Sequence, residues 1–192
     1  MRAGPLRGRS EPMTRALATL RATRDHGATG LLLISGPAGV GKTAVLQEIC
    51  RQATRMKVRV AYAKCDRIAQ VAPGAPIVAA LRAGRDPLAT GPEYEEIVQA
   101  VGEPLQLADR LASYLEGVAV AGPVLIAIDD LQWADRVSLF LLRTLVPRLI
   151  GLPVIWVFAS RECESIADLA GYELVPDEQL RLEHPKGAVP CR

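Results

Sequence analysis

Residues 29–43 restrict this chain more than any other stretch. Leu31-Leu-Leu-Ile34 is an unbroken apolar run between Gly30 and Gly36, the pattern of a short buried strand. Val45, Leu46, Ile49, Cys50 and Ala53 then recur at helical spacing, so a helix with one apolar face follows. Between the two lies Gly36-Pro37-Ala38-Gly39-Val40-Gly41-Lys42-Thr43. It fits G-x-x-x-x-G-K followed by Ser or Thr, the P-loop pattern, and strand–loop–helix is the setting that pattern requires.

Those residue types suit a polyphosphate. Glycines accept positive φ and let the backbone approach closely. Successive N–H groups then form an anion nest, completed by the N-terminus of the following helix. Lys42 would bridge β- and γ-phosphates, and the Thr43 hydroxyl would bind Mg2+. Gly36, Pro37, Ala38, Gly39, Val40, Gly41, Lys42 and Thr43 are therefore the candidate phosphate-binding residues. An ordinary glycine turn is the competing reading, and the flanking strand and helix argue against it.

Composition removes other classes of function. With 192 residues the chain is long enough for one domain with its own core. A net charge of +2 gives no electrostatic case for nucleic acid over the domain as a whole. No apolar run approaches the roughly 18 residues of a membrane span, and the N-terminus lacks the apolar core of a signal peptide. Cys50, Cys65, Cys163 and Cys191 have no C-x-x-C spacing and only two histidines accompany them, so a zinc site is not expected. A cytoplasmic protein with reduced thiols is the expectation. Asparagine is absent, so the N-K-x-D motif that reads guanine cannot exist and an ordinary GTPase is disfavoured.

Residues 1–9 are rich in Arg, Gly and Pro and are expected to be loose. Ser10 is the candidate N-cap of a helix with Met13, Ala16, Leu17 and Leu20 on one face; its arginines read as a solvated surface. Val58, Val60 and Tyr62 alternate within 57–64, which reads as a second strand. Prolines and glycines break 66–104 into short helical pieces. Leu105, Ala108, Leu111, Ala112, Leu115 and Val118 mark an amphipathic helix. Residues 124–128 form a third buried strand ending in Asp129-Asp130, residues 137–149 a helix and residues 154–158 a fourth strand, with a short last strand near 180–182. Strands alternating with helices predict an α/β fold whose parallel sheet is covered on both faces.

Carboxylates at the C-terminal end of a buried parallel strand sit where ligands of α/β proteins bind. Beside a P-loop, Asp129 fits an aspartate that holds Mg2+ through its water shell. Asp130 would orient or deprotonate the attacking water; an aspartate, weaker as a base, predicts slow hydrolysis. Arg161 follows the fourth strand, where a positive group can sense a γ-phosphate. Lys42, Asp130 and Arg161 are thus the candidate catalytic residues, and Thr43 and Asp129 the candidate metal ligands. Trp133 reads as a packing anchor for the loop, and Asp135 as the cap of the helix that follows.

Leu6-Arg-Gly-Arg-Ser-Glu11, the glycine loop, Ile128-Asp-Asp-Leu-Gln-Trp-Ala-Asp135 and Val157-Phe-Ala-Ser-Arg-Glu162 together resemble the ATPase domain of STAND-type signalling NTPases. Within that class they are most similar to large LuxR-type ATP-binding regulators and the Orc1-like AAA family. The resemblance covers residues 6–183 and implies a three-layer P-loop NTPase core: a mostly parallel five-stranded sheet, in the order 5-1-4-3-2, flanked by helices. It implies ATP, ADP and Mg2+ as ligands and puts Gly8 and Arg9 on the adenine side. It also implies a switch, off with ADP and on with ATP, with self-association or a released effector domain as output.

Members of that class continue into a helical lid, a winged helix and helical repeats, and LuxR-type members end in a DNA-binding helix-turn-helix. Residues 183–192 do not read as the lead-in to a lid. The expectation is a chain cut short after the nucleotide-binding core, by truncation, frameshift or fragmentation. It would lack a DNA-binding element or membrane contact and depend on nucleotide, self-association or missing C-terminal regulatory domains as partners. The division read from the sequence is a flexible segment, 1–9, an ATPase domain, 10–183, and an irregular tail, 184–192. The expected function is an ATP-binding, slowly hydrolysing, Mg2+-dependent regulatory module. A non-catalytic nucleotide-binding remnant and a small-molecule P-loop kinase are the alternatives.

Overall fold

The computed structural model describes residues 10–66, 73–84, 86–161 and 178–182. The expected flexible segment and tail, with Gly8 and Arg9, lie outside these residues. Helix α1 (Ser10–His26) leads into strand β1 (Gly30–Ser35), and the glycine loop leads into α2 (Lys42–Arg55) and β2 (Arg59–Lys64). Three helices follow, α3 (Ala75–Arg82), α4 (Gly91–Gln99) and α5 (Pro104–Ala121), before β3 (Val124–Asp129). A 3-10 turn (Leu131–Trp133), α6 (Arg136–Arg148), β4 (Val154–Ser160) and β5 (Glu178–Arg181) complete the described chain. The proline- and glycine-punctuated stretch thus holds two short helices, and both start at glycine-proline or alanine-proline steps that fix φ for a first turn.

The strands pair in parallel in the order β2-β3-β4-β1-β5, which from the other edge is 5-1-4-3-2. β2, β3, β4 and β1 form the body of the sheet, each pair matched over five or six residues. β5 is four residues long and adds an edge to β1 alone. The five-stranded expectation therefore becomes four full strands and one short edge strand.

The core strands read as continuous apolar runs because both faces are covered, yet the period of two survives in what each residue touches. Val124, Ile126 and Ile128 of β3, with Val154, Trp156 and Phe158 of β4, pack on the face occupied by α3, α4, α5 and α6. Leu125 and Ala127, with Ile155, Val157 and Ala159, pack on the face occupied by α1 and α2. One position departs from the expected pattern. Leu105 is 74% exposed while Leu107 is fully buried. At 100° per residue Leu105 lies about 90° round α5 from the centre of the buried stripe, at its flank.

The register aligns the strand ends that matter. Ser35 is level with Ser160, and Lys64 with Asp129. The glycine loop after β1, the two aspartates of β3 and Arg161 after β4 therefore leave the sheet along one edge, the ligand-binding edge of open α/β sheets. Among the described residues no helix is long and apolar enough to cross a membrane.

Candidate functional site

The loop between β1 and α2 is held by two glycines that no other residue replaces cheaply. A Cβ on Gly36 would lie 2.3 Å from the Leu182 carbonyl oxygen, because the backbone N–H of Leu182 donates to the Ser35 carbonyl at 2.7 Å and draws the chain against the loop. Gly41 caps α2 in the left-handed region, φ 95° and ψ 22°, where side chains are strained. Val40 is buried among α2 and sheet residues, so it anchors the loop from below and offers only backbone to a ligand.

α2 begins at Lys42, and its first residues line an open cavity of about 400 Å3. Ala38, Gly39, Gly41, Lys42, Thr43, Ala44 and Gln47 form one wall, and Asp130 and Arg161 the other. Seven of the residues singled out in the sequence are thereby brought to one cavity, from three separate strand ends. Gly36 and Pro37 contribute differently: their carbonyls accept from Lys42 Nζ at 2.8 and 2.9 Å. Lys42 is only 6% exposed. Burial lowers its ammonium below the ordinary lysine range, Asp130 pushes back upward, Arg161 lowers it and Asp129 raises it.

Asp129 is wholly buried at the end of β3. Its Oδ1 accepts the Asp130 backbone N–H at 2.9 Å and its Oδ2 the Tyr62 hydroxyl at 3.1 Å. Asp130 turns the chain with φ 53° and ψ 42°, a conformation that non-glycine residues adopt uncommonly and aspartate better than most. Its Oδ1 accepts from Gln132 Nε2 at 2.9 Å, and Lys64 Nζ stands 3.6 Å from its Oδ2. Gln132 also reaches β4: its Oε1 accepts the Arg161 N–H at 3.1 Å and the Ser160 hydroxyl at 3.4 Å. Arg161 is exposed, and its guanidinium carbon lies 5.9 Å from the centre of the Trp133 ring. Trp133 is partly buried against the core, as a loop anchor should be.

Asp135 stands apart from this group. It caps α6, accepting the Ser138 N–H at 2.9 Å, and it also accepts the Gly74 N–H at 3.1 Å ahead of α3. Its role is structural, tying two helices to one carboxylate.

The sequence of residues 5–157 matches the family model described as the AAA ATPase domain. The chain belongs to the AAA ATPase domain family. Folds of this kind recur among solved structures. The Orc1 protein of Aeropyrum pernix, solved in complex with DNA, superposes with a TM-score of 0.62 over 94% of this chain and 46% of its own, at 19% identity. AMPPCP-bound DnaA from Aquifex aeolicus gives a TM-score of 0.56 over 95% of this chain and 48% of its own, at 16% identity. An uncharacterized protein of Rhizobium meliloti (strain 1021) is 28% identical over 170 residues, covering 70% of this chain but 16% of the relative. The AAA ATPase domain described here thus spans less than half the length of each of these relatives.

The residues fit the magnesium that such domains typically use. Thr43 and Asp129 are hard oxygen donors, and each Asp129 oxygen keeps a lone pair beyond its one hydrogen bond. Among the described residues no group of three or more His, Cys, Asp or Glu side chains converges as a metal cage. Mg2+ is commonly held by one or two protein oxygens together with phosphates and water; Thr43, which lines the cavity, and Asp129, buried just before the cavity residue Asp130, would be those protein oxygens.

Tyr62, Lys64, Gln132, Ala44 and Gln47 join the site without having been singled out in the sequence. Ala44 and Gln47 follow from extending the glycine loop by one helical turn. Tyr62 and Lys64 end the strand beside β3, so strand order alone brings them to Asp129 and Asp130. Gln132 carries no signal beyond standing two residues after Asp130.

Proposed function

We propose that this AAA ATPase domain binds Mg-ATP and hydrolyses it slowly, as the nucleotide-dependent regulatory module of a STAND-type, LuxR-like signalling ATPase. The observation that carries the proposal is the single cavity shared by Lys42, Thr43, Asp130 and Arg161. The N-terminus of α2 supplies backbone N–H groups for the phosphates. Lys42 leaves two carbonyls for the β- and γ-phosphates, trading neutral acceptors for charged ones. Thr43 and Asp129 would hold Mg2+, which when bound neutralises charge on the phosphates. Asp130, fixed by Gln132 and Lys64, takes a proton from water as its oxygen bonds to the γ-phosphorus and the bond to the ADP oxygen breaks. Arg161 faces the γ-phosphate and stabilises its charge. The similarity to DnaA solved with AMPPCP, an ATP analogue, supports adenosine triphosphate as the ligand.

Thermal unfolding of the purified chain with Mg2+ alone, Mg-ADP and Mg-ATP tests this reading. Nucleotide at about a hundred times its Kd should add about 2.7 kcal/mol. Lys42→Ala should lose most of the shift while melting as cooperatively as the parent. No shift in a parent chain that melts cooperatively would make the domain a non-catalytic remnant.

A further inference from the structure

Arg161 stands between two partners. Its side chain lines the cavity opposite Lys42, and its guanidinium lies over the Trp133 ring. Both stems are pinned. The Arg161 N–H is bound by Gln132 Oε1, while the Trp133 N–H donates to the Asp130 carbonyl at 2.9 Å and the ring packs on the core. Rotation of the Arg161 side chain alone therefore decides which partner has the charge. We propose that Trp133 is a specificity-determining residue: by competing with the γ-phosphate for the Arg161 guanidinium, it sets how strongly the site prefers ATP over ADP. The inference rests on the γ-phosphate role proposed above for Arg161.

The magnitudes decide the direction. A cation–π contact made by an exposed arginine gains little, equivalent to about a two- to five-fold bias. A charge-assisted bond to phosphate is stronger, so ATP draws the arginine away and gives up only that factor in apparent affinity. ADP has no γ-phosphate and is indifferent to where the guanidinium rests. Trp133 thus restrains the response to ATP without affecting ADP.

Dissociation constants for Mg-ATP and Mg-ADP, by competition against a fluorescent nucleotide, test this on the parent chain, Trp133→Leu, Arg161→Ala and the double variant. Trp133→Leu should tighten ATP about two- to five-fold, leave ADP unchanged, and have no effect on ATP when Arg161 is already alanine. Equal changes for ATP and ADP, no change for either, or the same ATP change in the Arg161→Ala background would overturn the inference, since a packing role alone does not depend on Arg161. Arg161→Ala binding ATP as tightly as the parent would overturn the γ-phosphate role and this inference together. Intrinsic fluorescence gives a second readout without substitution. Trp156, the other tryptophan, is wholly buried in the sheet, so emission should change with ATP and not with ADP. An identical response to both nucleotides would overturn the inference.

Discussion

Tyr62 donates its hydroxyl to Asp129 Oδ2 at 3.1 Å, from one strand of the sheet to the next. Burial, reinforced by Asp129, pushes that hydroxyl well above the usual tyrosine range, so it remains a donor across neutral pH. Tyr62→Phe leaves one oxygen of a wholly buried carboxylate without its protein donor, an expected loss of about 1.5–3 kcal/mol in denaturant unfolding. It also frees the candidate metal ligand to rotate. Loss of an outer partner of a metal ligand commonly costs about 10–100-fold in metal affinity, so the Mg2+ concentration that half-saturates nucleotide binding should rise about tenfold or more. Stability and Mg2+ dependence both unchanged would reduce Tyr62 to a space-filling role.

Asp130→Asn separates chemistry from binding. Asparagine tolerates the left-handed conformation at this position and still accepts from Gln132, so the turn should survive. What disappears is the proton acceptor. The turnover number should fall about 10²–10⁴-fold, with Mg-ATP affinity close to the parent's, measured by phosphate release and by equilibrium binding. A matched loss of both would make Asp130 a binding residue instead.

The positions of Lys42, Thr43, Asp130 and Arg161 at one cavity were readable because each follows a buried strand, and parallel strands end on one edge. Asp135 as a helix cap was readable from its place just before an apolar helical run. The partners were not. Tyr62 meets Asp129 only because β2 lies beside β3, and a strand's alternation does not name its neighbour. Gln132 works through a side chain that spans from the turn to β4, a distance that sequence spacing does not encode. Leu105 misled for a similar reason: at the flank of a helical stripe, burial depends on what packs there rather than on period.

Asp135→Ala is the structural counterpart. It strips acceptors from Ser138 and Gly74, undoing the α6 cap and the tie to α3 together. A helix cap and a part-buried hydrogen bond lost together should cost about 1–3 kcal/mol. Asp135→Asn, which keeps an acceptor oxygen, should lose less. Mg-ATP affinity of the folded variants should match the parent's. A selective loss of nucleotide binding at unchanged stability would move Asp135 into the site.

Two thiols, Cys65 buried and Cys50 half-buried, predict how stability responds to alkali. Burial pushes both Cys50 and Cys65 from 9.0 up to about 12, and for Cys65 the nearby carboxylates add to the rise. A pKa raised in the folded state contributes stability that is complete below the unfolded value and lost as pH climbs through the folded one. Unfolding free energy should therefore hold steady to about pH 9 and then fall toward pH 12, by at most about 1.4 kcal/mol per pH unit for each thiol. Cys50→Ala should flatten part of that decline. Peptide mapping after iodoacetamide treatment at pH 8 gives the kinetic counterpart, because the thiolate is the reacting form. Cys50 and Cys65 should stay unmodified in the folded chain and react after unfolding. Rapid alkylation of either in the folded chain would mean that its thiol is not held neutral by burial.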